Sequence, residues 1–405
     1  MAPLPVSVIV VSRHRAAALV RCLVALTQQD HPAFEIIVVA DPAGVGAAQS
    51  MGLAIKTALF DQANISAARN AGLALAAAPV VAFIDDDAVA EPTWLSRLTA
   101  PFGDPDIVAS TGFIRGRNGI SFQWQACVVD AQGQDHQLEI SQTSRRQGTA
   151  QLAVKTQGTN CAFRRDTLLV IGGFDPAYRF YLDEADVNLR LADRGPTMIV
   201  PDAQVHHSYA ASDRRRADRV PLSLHDIAAS TAIFLRRHAP ETDFLSAFTI
   251  LHHREAARAK HHLVAGRIGT TEVAALMTSL TAGWTEGIAQ PLSTLPILRP
   301  TTATFTPVSA TGPKSGKVIA GRSWRINRLV RQATAALAAG QIVTVISLSP
   351  GMRAHQVQFQ TAGYWLQTGG LFGRSIRQGN RLRIIGFRQR IAEEVARIAQ
   401  QRPVI

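Results

Sequence analysis

Three consecutive carboxylates, Asp85, Asp86 and Asp87, close an apolar run in "VVAFIDDDAVAEPTWL" (80–95). Like charges side by side repel, and each resists ionisation while its neighbour is charged. Such a triplet persists where something positive sits on it, or where the carboxylates project into water. In extended backbone successive side chains point to opposite sides, so Asp85 and Asp87 can share one side while Asp86 faces away. A carboxylate pair so spaced at a strand end can hold a divalent cation or a sugar hydroxyl. Mg²⁺ and Mn²⁺ favour oxygen ligands and commonly bind through one or two carboxylates plus phosphate oxygens. The competing interpretation is an acidic turn before the helix that Pro92 begins. A calcium loop is disfavoured, because the alternating ligands fail at Val89 and the central glycine is missing.

A second acidic group lies in "YLDEADVNLRLADRG" (181–195). It reads as a short helix, with Asp183 at the N-cap and Asp186 at the third helical position, both favourable for acids. Gly195 followed by Pro196 supplies the stop. Asp183 and Asp186 then have structural work, and Glu184 is left to face a crevice. Adjacent helical residues lie about 100° apart, so Asp183 and Glu184 cannot serve one hydroxyl equally. Two histidines, His206 and His207, follow the strand-like run "MIVPDAQV".

The elements that must position these groups alternate regularly. "VSVIVV" (6–11), "FEIIVVA" (34–40) and "VVAFI" (80–84) are apolar runs suited to strands buried on both faces. Between them, "RAAALVRCLVALTQQ" (15–29) carries Leu19, Cys22, Leu23 and Leu26 at helical spacing. "NISAARNAGLALAAA" (64–78) reads as a helix capped by Asn64 or Ser66. Strand, helix, strand, helix, strand describes a parallel sheet with right-handed crossovers. In such sheets ligands bind beyond the carboxyl ends of the strands, where the Asp triplet and Asp41 both lie.

With 405 residues, two or three domains are expected. No apolar stretch is long enough for a membrane span, and "MAPLPVSVIVVSRHR" lacks the features of a signal peptide. Three scattered cysteines point to reduced thiols rather than disulfides or zinc. The net charge of +12 is concentrated. Residues 296–405 hold 16 of the 42 Lys and Arg and only two acids, Glu393 and Glu394, for a balance of +14; the other 295 residues sum to −2. Any anionic partner therefore belongs to the C-terminal region.

Several motifs in order resemble a family 2 glycosyltransferase of the GT-A fold over about residues 5–240. They are "VSVIVVSRHR", "NISAARNAGLALAAAPVVAFIDDDA", "GTNCAFRRDTLLVIGGFDPAY" (158–178), "YLDEADVNLRLADRG" and "VHHSYAAS" (205–212). One departure is "VVADPAG" after the second strand, where the family usually has an Asp-rich Gly-Ser turn. The resemblance implies a Rossmann-like, mostly parallel α/β sheet flanked by helices. It also implies inverting transfer of a sugar from a nucleotide-diphosphate donor to a hydroxyl, with Mn²⁺ or Mg²⁺ as cofactor. On this pattern Asp87, Asp85 and His206 hold the cation, with His207 the rival of His206. Glu184 is the general base in preference to Asp183. Ser12, Arg13, Asp41, Arg69, Asn70, Asp85 and Asp86 bind the nucleotide-sugar; Gly158, Thr159, Asn160 and Asp186 line the acceptor side.

The chain then divides into a catalytic domain (1–212), a helical extension (213–290), a Pro/Thr/Ser-rich linker (291–313) and a basic α/β or α+β module (314–405). The module contains the strand-like runs "KVIAG", "QIVTVISL", "HQVQF", "GYWLQ" and "RLRIIGF" and two short helices. Its charge suits an anionic membrane surface better than nucleic acid. The acceptor expected is a glycan or lipid-linked hydroxyl, and the location cytoplasmic, peripheral to the membrane's inner face. Two alternatives are a non-catalytic glycan- or membrane-binding protein on the same scaffold and a sugar nucleotidyltransferase. The second would need a Gly-rich basic loop after the first strand, and "SRHRAAALV" offers Arg13 and Arg15 but no glycine.

Overall fold

The computed structural model describes residues 3–207, 214–216, 218–308, 312 and 314–403. The chain opens with β1 (Val6–Ser12), α1 (Ala16–Leu26), β2 (Phe34–Ala40), α2 (Pro42–Gln49), β3 (Ile55–Leu59), α3 (Ile65–Leu73) and β4 (Val80–Asp85). The four strands pair in parallel in the order β3-β2-β1-β4. Alternate residues feed two cores: Val8, Val10, Ile36 and Val38 on one face, Ile9, Ile37, Val39 and Phe83 on the other. Burial on both faces is why these runs read as continuously apolar. Leu19, Cys22, Leu23 and Leu26 are the buried stripe of α1. Asn64 caps α3, its side chain accepting from the Ala67 N–H. The sequence reading passes over α2 and β3. The edge strand "IKTAL" is only half-buried, so neither a two-residue nor a continuous apolar pattern marks it.

The chain continues through β5 (Ala88–Ala90), α4 (Trp94–Thr99), β6 (Ala109–Arg115), β7 (Phe122–Trp124), β8 (Cys127–Asp130), β9 (Asp135–Gln137), β10 (Ser144–Arg146) and β11 (Leu152–Val154). Then follow β12 (Cys161–Arg164), α5 (Arg165–Val170), α6 (Asp183–Leu191) and β13 (Thr197–His207). The main sheet has the order β10-β13-β6-β12-β4-β1-β2-β3, with β5 against β13 and β7 against β6; β11-β8-β9 is a separate small sheet. β12 runs antiparallel to both β4 and β6, and β6 runs parallel to β13. So β4 and β13 point the same way, and their last residues, Asp85 and His207, come out at one edge. The fold class is the expected one, a mostly parallel α/β sheet flanked by helices.

Residues 208–213, which include the end of "VHHSYAAS" and the expected boundary at 212, lie outside the described residues. Helices α7 (His225–His238), α8 (Phe244–Val264) and α9 (Thr270–Ala289) share a core around Leu224, Leu251, Leu280 and Trp284. Among the described residues no helix is long and apolar enough to cross a membrane. The stretch read as a linker is bonded to the sheet domain along its described length. Leu298 N–H donates to the Leu169 carbonyl, Thr306 N–H to Glu35, and Val308 N–H to the Phe34 carbonyl.

The C-terminal module consists of β14 (Gly316–Arg322), α10 (Ile326–Ala338), β15 (Ile342–Ser349), β16 (Gln356–Phe359), β17 (Trp365–Gly370) and α11 (Phe387–Ile398). Its sheet order is β14-β15-β17-β16, with the first three parallel and β16 antiparallel at the edge. "RLRIIGF", read as a strand, is not one; it makes a single bridge, Leu382 to Gly373, and its Ile384 stays in water. The module is fastened to the first domain by a shared apolar cluster of Ala25, Val89, Ile120, Val357, Phe359 and Trp365. Gly119, at φ 66°, lies so close to the Val357 backbone that a Cβ would collide with it.

One buried histidine gives the fold a pH dependence. His31, between α1 and β2, is almost fully buried, and its Nδ1 accepts the Ala33 N–H. Burial pulls its pKa down to about 4, so the folded chain keeps it neutral while the unfolded chain protonates it near pH 6.5. Stability should therefore fall as pH drops from 6.5 towards 4. Between pH 6.5 and 4.5 the loss from this residue should be about 2–3 kcal/mol. Thermal midpoints of wild type and His31→Gln across that interval check this; equal acid sensitivity in both would refute it.

Candidate active site

β4 delivers Asp85 to the sheet edge, and a two-residue turn leads into β5, which pairs antiparallel with the end of β13. The register sets Ala88 opposite His207, directly after Asp87. One ligand atom each from Asp85, Asp87 and His207 then lies within 4.8 Å of the others. His207 Nε2 is 3.1 Å from Asp87 Oδ1, and its ring stacks at 5.8 Å on Trp124. Asp87 and His207 are buried, and Asp85 is about one-third exposed. Burial raises the Asp85 pKa; Arg69 and His207 oppose the rise and the charge on Asp87 adds to it.

Asp86 faces the interior and is not available to a nucleotide-sugar, which corrects that expectation. Ser12 Oγ donates to its Oδ2 at 2.6 Å, and Arg15 Nη2 lies 2.5 Å from Oδ1. Burial pushes its pKa up to about 7 against the pull of Arg15. Arg15 is also 3.5 Å from Asp87. Part of the positive charge that the triplet demands is therefore Arg15, one turn after β1. The sequence reading noted Arg15 but gave it no role.

His206 is likewise corrected. On β13 it points away from His207, and its Nε2 meets Glu91 Oε1 at 2.7 Å while its ring stacks at 4.8 Å on Trp365. Both Glu91 oxygens also take Arg402, each at 2.7 Å, and Arg402 lies 3.7 Å from the centroid of the Trp365 ring. Burial pulls His206 down to about 4 despite Glu91. Burial alone would raise Glu91, but Arg402 and His206 outweigh it and hold the carboxyl well below its usual range. This buried group joins the C-terminal module to the back of the cation cluster.

The acidic pair sits on α6. Leu182, not Asp183, precedes the helix, and both Tyr181 and Leu182 adopt positive φ, 74° and 64°. Two consecutive non-glycine residues in that region are strained, and such strain concentrates where side chains must be aimed. Arg69, from α3, is buried between the two acidic groups. It pairs closely with Asp183, lies 3.1 Å from Glu184 Oε1 and 3.8 Å from Asp85. Its guanidinium also lies 5.1 Å from the centroid of the Phe174 ring. Glu184 keeps about a fifth of its side chain exposed, whereas Asp183 is buried. Burial and the charge on Glu184 raise the Asp183 pKa; burial acts upward on Glu184 too, but Arg69 more than offsets it. Glu184 is thus the carboxylate kept ionised. Gly158 packs on Arg69 and Glu184 so closely that a Cβ would strike both.

Other expected contacts have interior duties. Asn160 is fully buried; its amide donates to the Phe113 and Ala203 carbonyls and accepts from Trp94 Nε1, so it is not an acceptor-side group. Asp186 is buried against Arg190 and His238, which corrects the reading that it meets the acceptor. Asn70 braces the 172–174 turn through both backbone groups of Phe174, not a nucleotide. Thr159 Oγ1 accepts the Asp85 N–H at 3.4 Å. Asp41 caps α2 and also accepts the His14 N–H. Arg13 pairs with Asp61 at the surface.

Residues 7–171 match the family profile described as Glycosyl transferase family 2. This region belongs to that family. The glycosyl transferase domain is 33% identical over 114 residues to a glucosyl-dolichyl phosphate glucuronosyltransferase of Haloferax volcanii, covering 28% of this chain. The match spans about a third (34%) of that relative's length. Among solved structures the chain is similar to GalNAc-T7 with UDP, GalNAc and Mn²⁺ at 14% identity and a TM-score of 0.44, over 58% of this chain and 48% of that one. It is also similar to the mannosyltransferase PcManGT of Pyrobaculum calidifontis with GDP-Man and Mn²⁺, at 18% identity and a TM-score of 0.43, over 71% and 87%.

Within the glycosyl transferase domain and β13, the donor set fits a divalent cation. Two carboxylate oxygens and an imidazole nitrogen converge, and the mutual repulsion of Asp85 and Asp87 is relieved by a positive charge between them.

Proposed function

We propose that this chain transfers a glycosyl group from a nucleotide-diphosphate sugar to a hydroxyl, with inversion at the anomeric carbon. The observation that carries the reading is the meeting of the Asp85–Asp87–His207 cluster with the Asp183–Glu184 pair across Arg69. A cation on the cluster would supply Lewis-acid stabilisation of the departing diphosphate. Glu184, ionised and partly exposed, takes the proton of the acceptor hydroxyl while that oxygen bonds to the anomeric carbon and the bond from this carbon to the diphosphate oxygen breaks. Asp183 and Arg69 hold Glu184 in place. Asp183, the carboxylate beside Glu184, is buried against Arg69 and so placed to orient rather than to attack, which favours single displacement. Thr159 and Gly158 border the space where the hydroxyl must enter. The acceptor we infer is a glycan or lipid-linked hydroxyl, reached from the inner face of a membrane; the name of the Haloferax relative supports a lipid-linked one.

The test is thermal stability of wild type and Asp87→Ala against UDP, GDP, dTDP and CMP, with and without Mn²⁺. A nucleotide at 100 times its dissociation constant should add about 2.7 kcal/mol. We expect one nucleotide to stabilise wild type only with Mn²⁺, and Asp87→Ala to lose that response. A folded wild type that answers to none of the four would sink the donor-site reading.

A further inference from the structure

β14, β15 and β17 run parallel, so the segments that follow their carboxyl ends emerge at one edge of the module's sheet. Each carries a large apolar side chain in water: Trp324 after β14, Met352 after β15, and Ile376, Leu382 and Ile384 after β17. Trp324 is 66% exposed and Ile384 92%. The segments are held together. Leu382 bridges Gly373, Arg383 N–H donates to the Phe372 carbonyl, and the Arg322 guanidinium lies 4.4 Å from the centre of the Phe387 ring and 6.0 Å from that of Trp324. Arg325, Arg353, Arg377, Arg381 and Arg388 stand on the same three segments and the start of α11. The acids of this region are two: Glu393, which is occupied by Arg383, and Glu394, which is buried with Arg390 and Arg397.

We propose that this edge is a docking surface for an anionic lipid bilayer. Arginines interleaved with exposed aliphatic and indole side chains match an interface of acidic headgroups over hydrocarbon. A nucleic acid or acidic glycan would satisfy the arginines but leave Met352, Ile376 and Ile384 in water, so the apolar half of the surface decides for the bilayer. The long arginine stems can lie along that apolar surface with their heads at the phosphates. This surface is argued from the module alone and stands whether or not the crevice transfers sugar.

The full chain is to be sedimented with phosphatidylcholine vesicles with and without phosphatidylglycerol, beside Asp87→Ala, a Trp324→Ser/Ile384→Ser pair and an Arg325→Gln/Arg381→Gln pair, each checked for an unchanged thermal midpoint. We expect binding only to the phosphatidylglycerol vesicles, unaffected by Asp87→Ala. It should weaken about fivefold per arginine removed, and at least as much in the Trp324/Ile384 variant. No binding by wild type, or no change in either surface variant, would overturn the proposal. Loss in the arginine variant alone, with an oligonucleotide competing for the surface, would overturn it in favour of a polyanion site.

Discussion

Glu184→Gln should lower turnover by about 10²–10⁴-fold while leaving the Mn²⁺-dependent nucleotide shift in place. The amide keeps the shape and the contact with Arg69 but cannot take a proton. Asp183→Asn should behave differently. Asp183 is buried in close contact with Arg69, and an amide there turns either an NH₂ towards the guanidinium or its carbonyl away from its neighbours, so the thermal midpoint should drop before any effect on chemistry is read. Rates measured with the donor identified by thermal shift, beside melting curves for both variants, separate the roles. If Glu184→Gln keeps full turnover while Asp183→Asn loses it at an unchanged midpoint, the two carboxylates have been assigned the wrong way round.

Arg402→Met should destabilise the protein by about 3–5 kcal/mol, a large effect for a residue at the end of the chain. Arg402 is buried, gives both Glu91 oxygens a hydrogen bond and covers the Trp365 ring. Removing it takes away both of those bonds and leaves Glu91 hydrogen-bonded to His206, which burial keeps neutral. The double variant Glu91→Gln/Arg402→Met should recover a substantial part of the loss, since neither member of the pair is then left buried without the other. Chemical denaturation of the two single variants and the double one measures the coupling. Additive losses would show that the pair does not hold the module to the first domain.

Much of the architecture was legible in the chain. The apolar runs at 6–11, 34–40 and 80–84 are strands because a two-sided core leaves no room for polar alternation, and α1 shows its buried stripe at Leu19, Cys22, Leu23 and Leu26. The half-buried edge strand β3 went unread because its environment imposes no period on its residues. "RLRIIGF" misled for the opposite reason. Its aliphatic side chains have strand-like character, yet Leu382 and Ile384 are exposed on a surface segment.

For the site, the sequence by itself determined the chemistry. Local order sets three acids at a strand end, an acidic pair at a helix start, and two histidines at the end of a later strand. What tertiary structure decided is which member of each group faces the crevice. Adjacent residues on a strand point to opposite sides, so pairing β13 with β5 at Ala88–His207 turns His207 to Asp87 and commits His206 to Glu91. A register shifted by one would exchange them, and the pair of letters carries no mark of that parity. The same holds for Arg402 and Glu91, which meet across 311 residues. Local sequence fixes what a strand or helix end can present, but contacts between distant segments exist only once the packed sheet brings their ends together.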